Sequence, residues 1–318
     1  MESKVTPTVE GGLLAALTVI LSLAAIYLPI LGAFVEFFCA IPIAVLTVRQ
    51  GFKFGAAAVA VSFVLLLMFT GPIQAVRMTL SFGLCGLVLG QCLSRGLSAV
   101  QCFIPVLITG FLAQIVSVAM LAIVAGVDVV EQDMKLVRDS FTQSFEVYES
   151  MGVDPQVINQ SKAMIEPIVQ LIAVLTPIIL FFVALVNTVG TYIFSKWIFK
   201  KLRMKFAEPM PPFAQWRFPV AFLYLAAFAA LGLYWGQTRQ ISVLYFIAFN
   251  ALVFAAIVGL IQGFSLMSYL ADKYKVSKFV RRIIFVILIL NMFCLQVVAV
   301  TGLFDMIFDY RKHLESSK

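Results

Sequence analysis

Asp305 and Asp309 stand four residues apart in "GLFDMIFDYRK", and Arg311 follows two residues later. On a helix that spacing puts both carboxylates on one face. There they could form an ion pair with the guanidinium, hold a cation, or simply lie solvated at the end of an interfacial helix. Two further charges fall inside apolar runs: Glu36 in "FVEFFCAIP" and Arg77 in "GPIQAVRMTL". A charge within a membrane span is costly and usually turns toward a partner or a cavity. Both are expected at the same membrane face, so they could pair, and both are candidates for binding a ligand. Asn187 is a third. It belongs to a set of neutral polar residues in apolar surroundings, with Gln91, Gln114, Asn250, Gln262, Asn291 and Gln296. The alternative role for each is hydrogen-bonded glue between helices, worth about 1 kcal/mol.

Other chemistry has little to stand on. The single histidine, His313, sits in the polar tail, and the five cysteines lie in or at the ends of apolar runs without metal-ligand spacing. They read as small packing residues. There is no Gly-Lys-Ser/Thr phosphate loop and no nucleophile elbow. The sequence therefore predicts no metal, no cofactor and no enzymatic activity. An enzyme acting on lipid would have to work through Asp305 and Asp309 without a histidine.

The elements that must position these residues follow from composition. Of 318 residues, 62% are hydrophobic and 12% charged, about half the charge of ordinary globular proteins. Apolar runs cover 11–31, 34–48, 54–70, 77–94, 99–125, 164–199, 217–236, 241–271 and 279–308. They are continuous rather than alternating, which points to helices and not to a barrel. The fold class is all-α: a polytopic membrane bundle with eight or nine transmembrane helices. The first residues, "MESKVTPTVEGG", lack the basic region of a secretory signal, so the first run reads as a retained helix. The last run is long enough to break into a helix plus a re-entrant or interfacial piece.

The net charge of +7 reflects topology rather than nucleic-acid binding. Basic residues gather between Lys196 and Arg217 and between Lys273 and Arg282, which places those loops in the cytoplasm. Counting back one span at a time puts Arg95, Arg49, Lys53 and the N-terminus there too. The segment 127–163 is acidic, with Asp128, Glu131, Asp133, Asp139, Glu146, Glu149 and Asp154, and is placed outside. Within it Val130, Met134, Val137, Phe141, Phe145 and Tyr148 repeat at spacings of four and three, predicting an amphipathic helix. That helix could rest on the membrane surface or form a lid over an outward-facing cavity. Asp154-Pro155 predicts a cap and first turn, and Pro167 and Pro177 predict kinks in the following span. The tail, ending at Lys318, is balanced in charge and could lie on either side.

Between the sixth run and the seventh stands "EPMPPFAQWRFP". Its prolines, including Pro211 and Pro212, favour a stiff extended segment. Phe213 and Trp216 suit a membrane interface, with Arg217 reaching lipid phosphate. This predicts three parts: a six-span bundle over 1–205, a proline-rich cytoplasmic linker over 206–219, and a bundle of two to three spans with a short polar tail over 220–318. Deleting the linker should uncouple the two halves without unfolding either. In the first helix, Ala15, Ala16 and Ala25 stand among small residues that let another helix approach closely, whether within the bundle or on a second membrane protein.

With these motifs assembled, the "PPFAQWRFP" linker, the "IQGFSLMSYL" span with Asn250, and the terminal "GLFDMIFDYRK" resemble the YybS family of uncharacterised bacterial integral membrane proteins. Residues 1–203 also resemble, in architecture, the S component of energy-coupling factor (ECF) vitamin transporters. The resemblance implies the bacterial cytoplasmic (inner) membrane. It also implies six spans that bind a small-molecule ligand from outside, and a first helix, here with Ala15, Ala16 and Ala25, that docks on other membrane subunits coupled to an ATPase module. The additional C-terminal spans depart from that pattern, and a non-transporting scaffold or assembly partner in the bilayer is the alternative.

Overall fold

The computed structural model describes residues 6–126 and 129–316. Asp128 and Lys318, and the side chains of Val130 and Asp133, lie outside the described residues. The described residues form helices, turns and irregular segments and no strand. The chain divides into two compact units, residues 1–210 and 211–318, so the division falls inside the proline-rich segment.

Unit 1 comprises α1 (Pro7–Tyr27), α2 (Leu31–Cys39), α3 (Ile41–Gln50), α4 (Phe52–Thr70), α5 (Pro72–Met78), a π-helical stretch (Thr79–Leu84), α6 (Cys85–Ser94), α7 (Ala99–Ala125), α8 (Val129–Ser150), α9 (Pro155–Ala163) and α10 (Ile165–Lys201). Glycines decide how closely its helices approach. A methyl group on Gly86 would strike the Ala40 carbonyl, and one on Gly90 would meet Thr47 and the Ala44 carbonyl. That contact seats α6 on α3, where Ile41, Ala44, Val45, Leu89 and Phe199 form the core. Gly190 in α10 accommodates the Phe37 ring of α2 in the same way. At one end of the unit, Glu10 of α1 accepts from Arg49 at 2.8 Å and Gln50 at 2.6 Å, both at the end of α3.

The amphipathic segment follows its spacing: α8 buries Met134 and Phe145, while Tyr148 is half exposed. Gly152 turns the chain at φ 78°, and the Asp154 carboxylate accepts from the Gln156 N–H at 2.8 Å to cap α9. Arg138 reaches Glu166 through two hydrogen bonds of 3.0 and 3.1 Å, and Lys162 reaches Glu149 at 2.8 Å. These pairs fasten α8 to the start of α10 and to α9. The Arg138 guanidinium is held above its ordinary value chiefly by that hydrogen bonding. Of the two prolines expected to kink α10, only Pro177 is interior. Pro167 falls in the first turn, where its missing N–H has no partner to lose.

Unit 2 comprises a 3-10 turn (Phe213–Gln215), α11 (Ala221–Thr238), α12 (Ser242–Lys273), α13 (Lys278–Leu290), α14 (Met292–Phe308) and α15 (Tyr310–Ser316). α11 and α12 form an antiparallel hairpin, closed where Gly236 meets the Tyr245 backbone and Gly232 meets Ala248. α13 then runs back along α12, with Arg281 bonded to Asp272 and Phe285 against Phe264. At Asn291 the chain bends by 105° into α14, capped by the Asn291 side chain accepting from the Cys294 N–H at 3.1 Å. α14 crosses α12 through glycines on both sides: a methyl on Gly302 would collide with the Gly259 carbonyl, and one on Gly263 with the Val298 carbonyl. Further along, Asp305 meets Gln262, Arg311 meets Ser265, and Lys273 donates to the Leu314 carbonyl. The bond from Lys273 to Leu314 places the tail at the end of α12 that carries the basic turn at 274–278.

Among the described residues, seven helices are long and apolar enough to cross a membrane, or eight if the bent pair is one span. The sequence reading of eight or nine differs by α11, whose 18 residues end on Gly236, Gln237 and Thr238.

Candidate functional site

Two polar constellations stand out, one in each unit. In unit 1, a cleft of about 10 Å³, room for about one water molecule, lies between the π-helical stretch, α7 and α10. Its lining includes Ser81, Cys85, Gln114, Asn187, Thr188 and Thr191. Each comes from near the middle of its span, where polar groups are costly without partners. The sequence builds the cleft in two steps. The π-helical stretch widens one turn of the helix, a feature often found at functional sites. Gly110 on α7 leaves room for a methyl and little more, since one there would make ordinary contacts at 3.6 Å with Cys85 Sγ and 3.7 Å with Thr188 Oγ1. The buried Ser81 and Thr79 hydroxyls have no hydrogen-bond partner. Cys85 donates through its thiol to the Val106 carbonyl at 3.8 Å.

Of the three ligand-binding candidates from sequence, the cleft takes Asn187. Glu36 is half-buried on α2, and Arg77 is exposed on α5. Arg77's charge reaches Glu36, but the two form no direct ion pair. Gln114, which sequence reasoning grouped with interhelical glue, faces the same cleft as Asn187. Among the docking candidates, Ala15 is buried within the unit's own core, and the Ala25 carbonyl sits against Gly32 of α2. Ala16 alone of the three is exposed.

In unit 2 the polar groups mix charged with neutral side chains and are mostly partnered, although Arg311 Nε and Ser268 Oγ have no hydrogen-bond partner. Arg311, 2% exposed, donates to the Ala214 carbonyl at 2.7 Å and to Ser265 Oγ at 3.0 Å, and lies 3.6 Å from Asp305 Oδ2. Its guanidinium also covers the Tyr269 ring. Burial pulls this guanidinium below its ordinary value, and Asp305 opposes that pull. Ser265 donates its own hydroxyl hydrogen bond to the Phe213 carbonyl at 2.7 Å, and the Trp216 carbonyl lies 3.0 Å away. Gln262 donates to Asp305 at 2.6 Å and accepts from the Phe218 N–H at 3.1 Å. Asp305 also accepts from the Tyr310 N–H at 3.2 Å.

The aspartate pair divides its labour because the helix does not continue. α14 ends at Phe308, and Asp309 takes a left-handed conformation at φ 40°, one that aspartate tolerates better than most residues. The reversal turns Arg311 back beneath α14 toward buried Asp305. Asp309 instead pairs with Arg217 at 2.8 Å. Arg217 therefore has a carboxylate partner in place of the expected lipid phosphate. Phe213 and Trp216 pack edge to face with centroids 5.3 Å apart, and the Trp216 indole N–H bonds the Pro211 carbonyl at 3.0 Å. Residues 211–218 thus complete the polar core of unit 2. Removing them would leave Arg311, Ser265 and Gln262 without these backbone partners, so the segment that the sequence reading took as a linker is also packed into unit 2.

The chain matches the family described as "Predicted membrane protein (DUF2232)" over residues 16–306. It is 23% identical over 317 residues to "Uncharacterized protein YybS" of Bacillus subtilis (strain 168), covering 96% of this chain and 97% of that one. No solved structure matches. The chain belongs to the DUF2232 family of membrane proteins.

Proposed function

We propose that unit 1 is a non-enzymatic binding module of the bacterial cytoplasmic membrane, taking up a small, uncharged polar molecule at the cleft. The observation that carries this reading is the convergence of Asn187, Gln114 and Ser81 on one cleft at mid-span, beside a π-helical turn with unpartnered hydroxyls. No charged side chain lines the cleft, so the ligand is held by neutral hydrogen bonds. The cleft has room for about one water, so a larger guest needs the bundle to open. The ion-paired arm α8–α9 is the element placed to accompany that opening. As the S-component resemblance implies, energy for uptake would come from an ATPase module supplied by other chains. Basic loops set the N-terminus in the cytoplasm, and the tail lies there with the basic turn at 274–278.

Native mass spectrometry of the gently solubilised protein tests this. Wild type should carry a small-molecule adduct. Gly110→Ala, whose added methyl makes only ordinary contacts, should fill the cleft and lose the adduct while melting as wild type does. The small cleft itself favours a second reading, a packed scaffold for other membrane proteins. That reading takes over if wild type carries no adduct and retains protein partners that Gly110→Ala does not disturb.

A further inference from the structure

The bent α13–α14 pair carries a surface that the cleft and the polar core do not use. No residue of α13 is buried, and its chemistry changes in order along its length. Lys278 and Arg282 stand four residues apart on one face near its start, with Lys275 in the turn before them. Val286 and Ile289 continue the same face, and Phe279, Ile283 and Leu290 run beside it, with Leu290 80% exposed. The neighbouring Arg281 behaves differently. It is bonded to Asp272 at 2.8 Å and lies over the Phe285 ring at 5.7 Å. Its charge is satisfied within the unit, whereas Lys275, Lys278 and Arg282 have no ion pair among the described residues. The basic end lies beside the turn at 274–278, and the apolar end leads away from it along α12.

A cationic head followed by an exposed hydrocarbon stem is the complement of an anionic phospholipid. We infer that α13 binds one: its phosphate sits among Lys275, Lys278 and Arg282, and its acyl chain lies along Val286, Ile289 and Leu290. A free phosphate would use the cations but leave the apolar stem uncovered. A neutral phospholipid would cover the stem without matching the charge. The lipid would fasten α13 to the leaflet that meets its basic end, a role distinct from the uptake proposed for unit 1.

The test is native mass spectrometry after exchange into mixed micelles of phosphatidylglycerol and phosphatidylcholine. Wild type should retain phosphatidylglycerol preferentially, and inorganic phosphate should not displace it. Each of Lys275→Gln, Lys278→Gln and Arg282→Gln should weaken retention about fivefold, the worth of one basic residue at a lipid surface. Lys196→Gln, in the basic run of unit 1, should leave it unchanged. A Leu290→Ser variant should also lower retention, because the site needs the stem as well as the charges. Equal retention of the two lipids by wild type would overturn the inference, as would equal loss in the Lys196→Gln control or displacement by phosphate. Thermal melting of each variant in detergent distinguishes lost binding from lost folding: a variant that melts as wild type does and still retains phosphatidylglycerol fully also overturns it.

Discussion

Unit 1 and unit 2 each place polar side chains where lipid would otherwise lie, and they do so in opposite ways. Unit 1 gathers neutral groups around space and leaves hydroxyls without partners. Unit 2 gathers charged groups around backbone, and they satisfy one another across four segments of chain. A neutral amide with spare hydrogen-bonding capacity can accept a guest at little cost to the fold. A buried charge cannot be idle, because leaving it unpaired costs several kcal/mol. The first arrangement therefore suits binding and the second suits construction.

The sharpest way to test that contrast is to break unit 2. Arg311→Ala removes one partner of a buried pair and the donor to the Ala214 carbonyl. A loss of about 3–5 kcal/mol is expected, seen as a lower melting temperature in detergent and protease cleavage within 211–218. Full protection of that segment would show the network to be dispensable. Gly302→Val comes next: the added atoms collide with the Gly259 carbonyl, and the crossing of α14 over α12 should lose at least about 1–3 kcal/mol by overpacking. In unit 1, Asn187→Leu should change stability by less than about 1 kcal/mol while removing the small-molecule adduct. If it instead destabilises as strongly as Arg311→Ala, Asn187 is structural glue and the contrast fails. The smallest effect belongs to Arg217→Gln. Its partner Asp309 is at 2.8 Å, but the Arg217 side chain is 48% exposed, so about 1 kcal/mol or less is expected, and less still at high salt.

The sequence made the class of fold plain because hydrophobicity is written locally: nine apolar runs map onto helices with little adjustment. Asp154-Pro155 likewise announced a helix start through short-range chemistry. The polar core of unit 2 was hidden because its members are distant in sequence: Gln262 and Asp305 are 43 residues apart, and nothing near either one names the other. The spacing of Asp305 and Asp309 misled for a related reason. It implies one face only if the helix continues, and a left-handed residue ends it. The crossing of α12 and α14 could have been found earlier. Gly259 and Gly263 stand four apart in an apolar helix, the spacing of close-packed membrane helices. The cleft gave only half a signal: Asn187 and Gln114 were visible as polar residues, but the π-helical stretch that opens space beside them has no sequence signature.

The bond from Arg311 to the Ala214 carbonyl also sets an order of manufacture. The two residues are separated by 97 positions, and a ribosome delivers the earlier one first. Once α12 has been made, Ser265 and Gln262 can hold the Phe213 carbonyl and the Phe218 N–H, but the Ala214 carbonyl has to wait for the tail. Only then can the guanidinium be buried, with its partners already in place. Unit 2 is thus built to close last, from its end, and a chain interrupted before Arg311 would hold residues 211–218 through α12 alone, without the last of their fastenings.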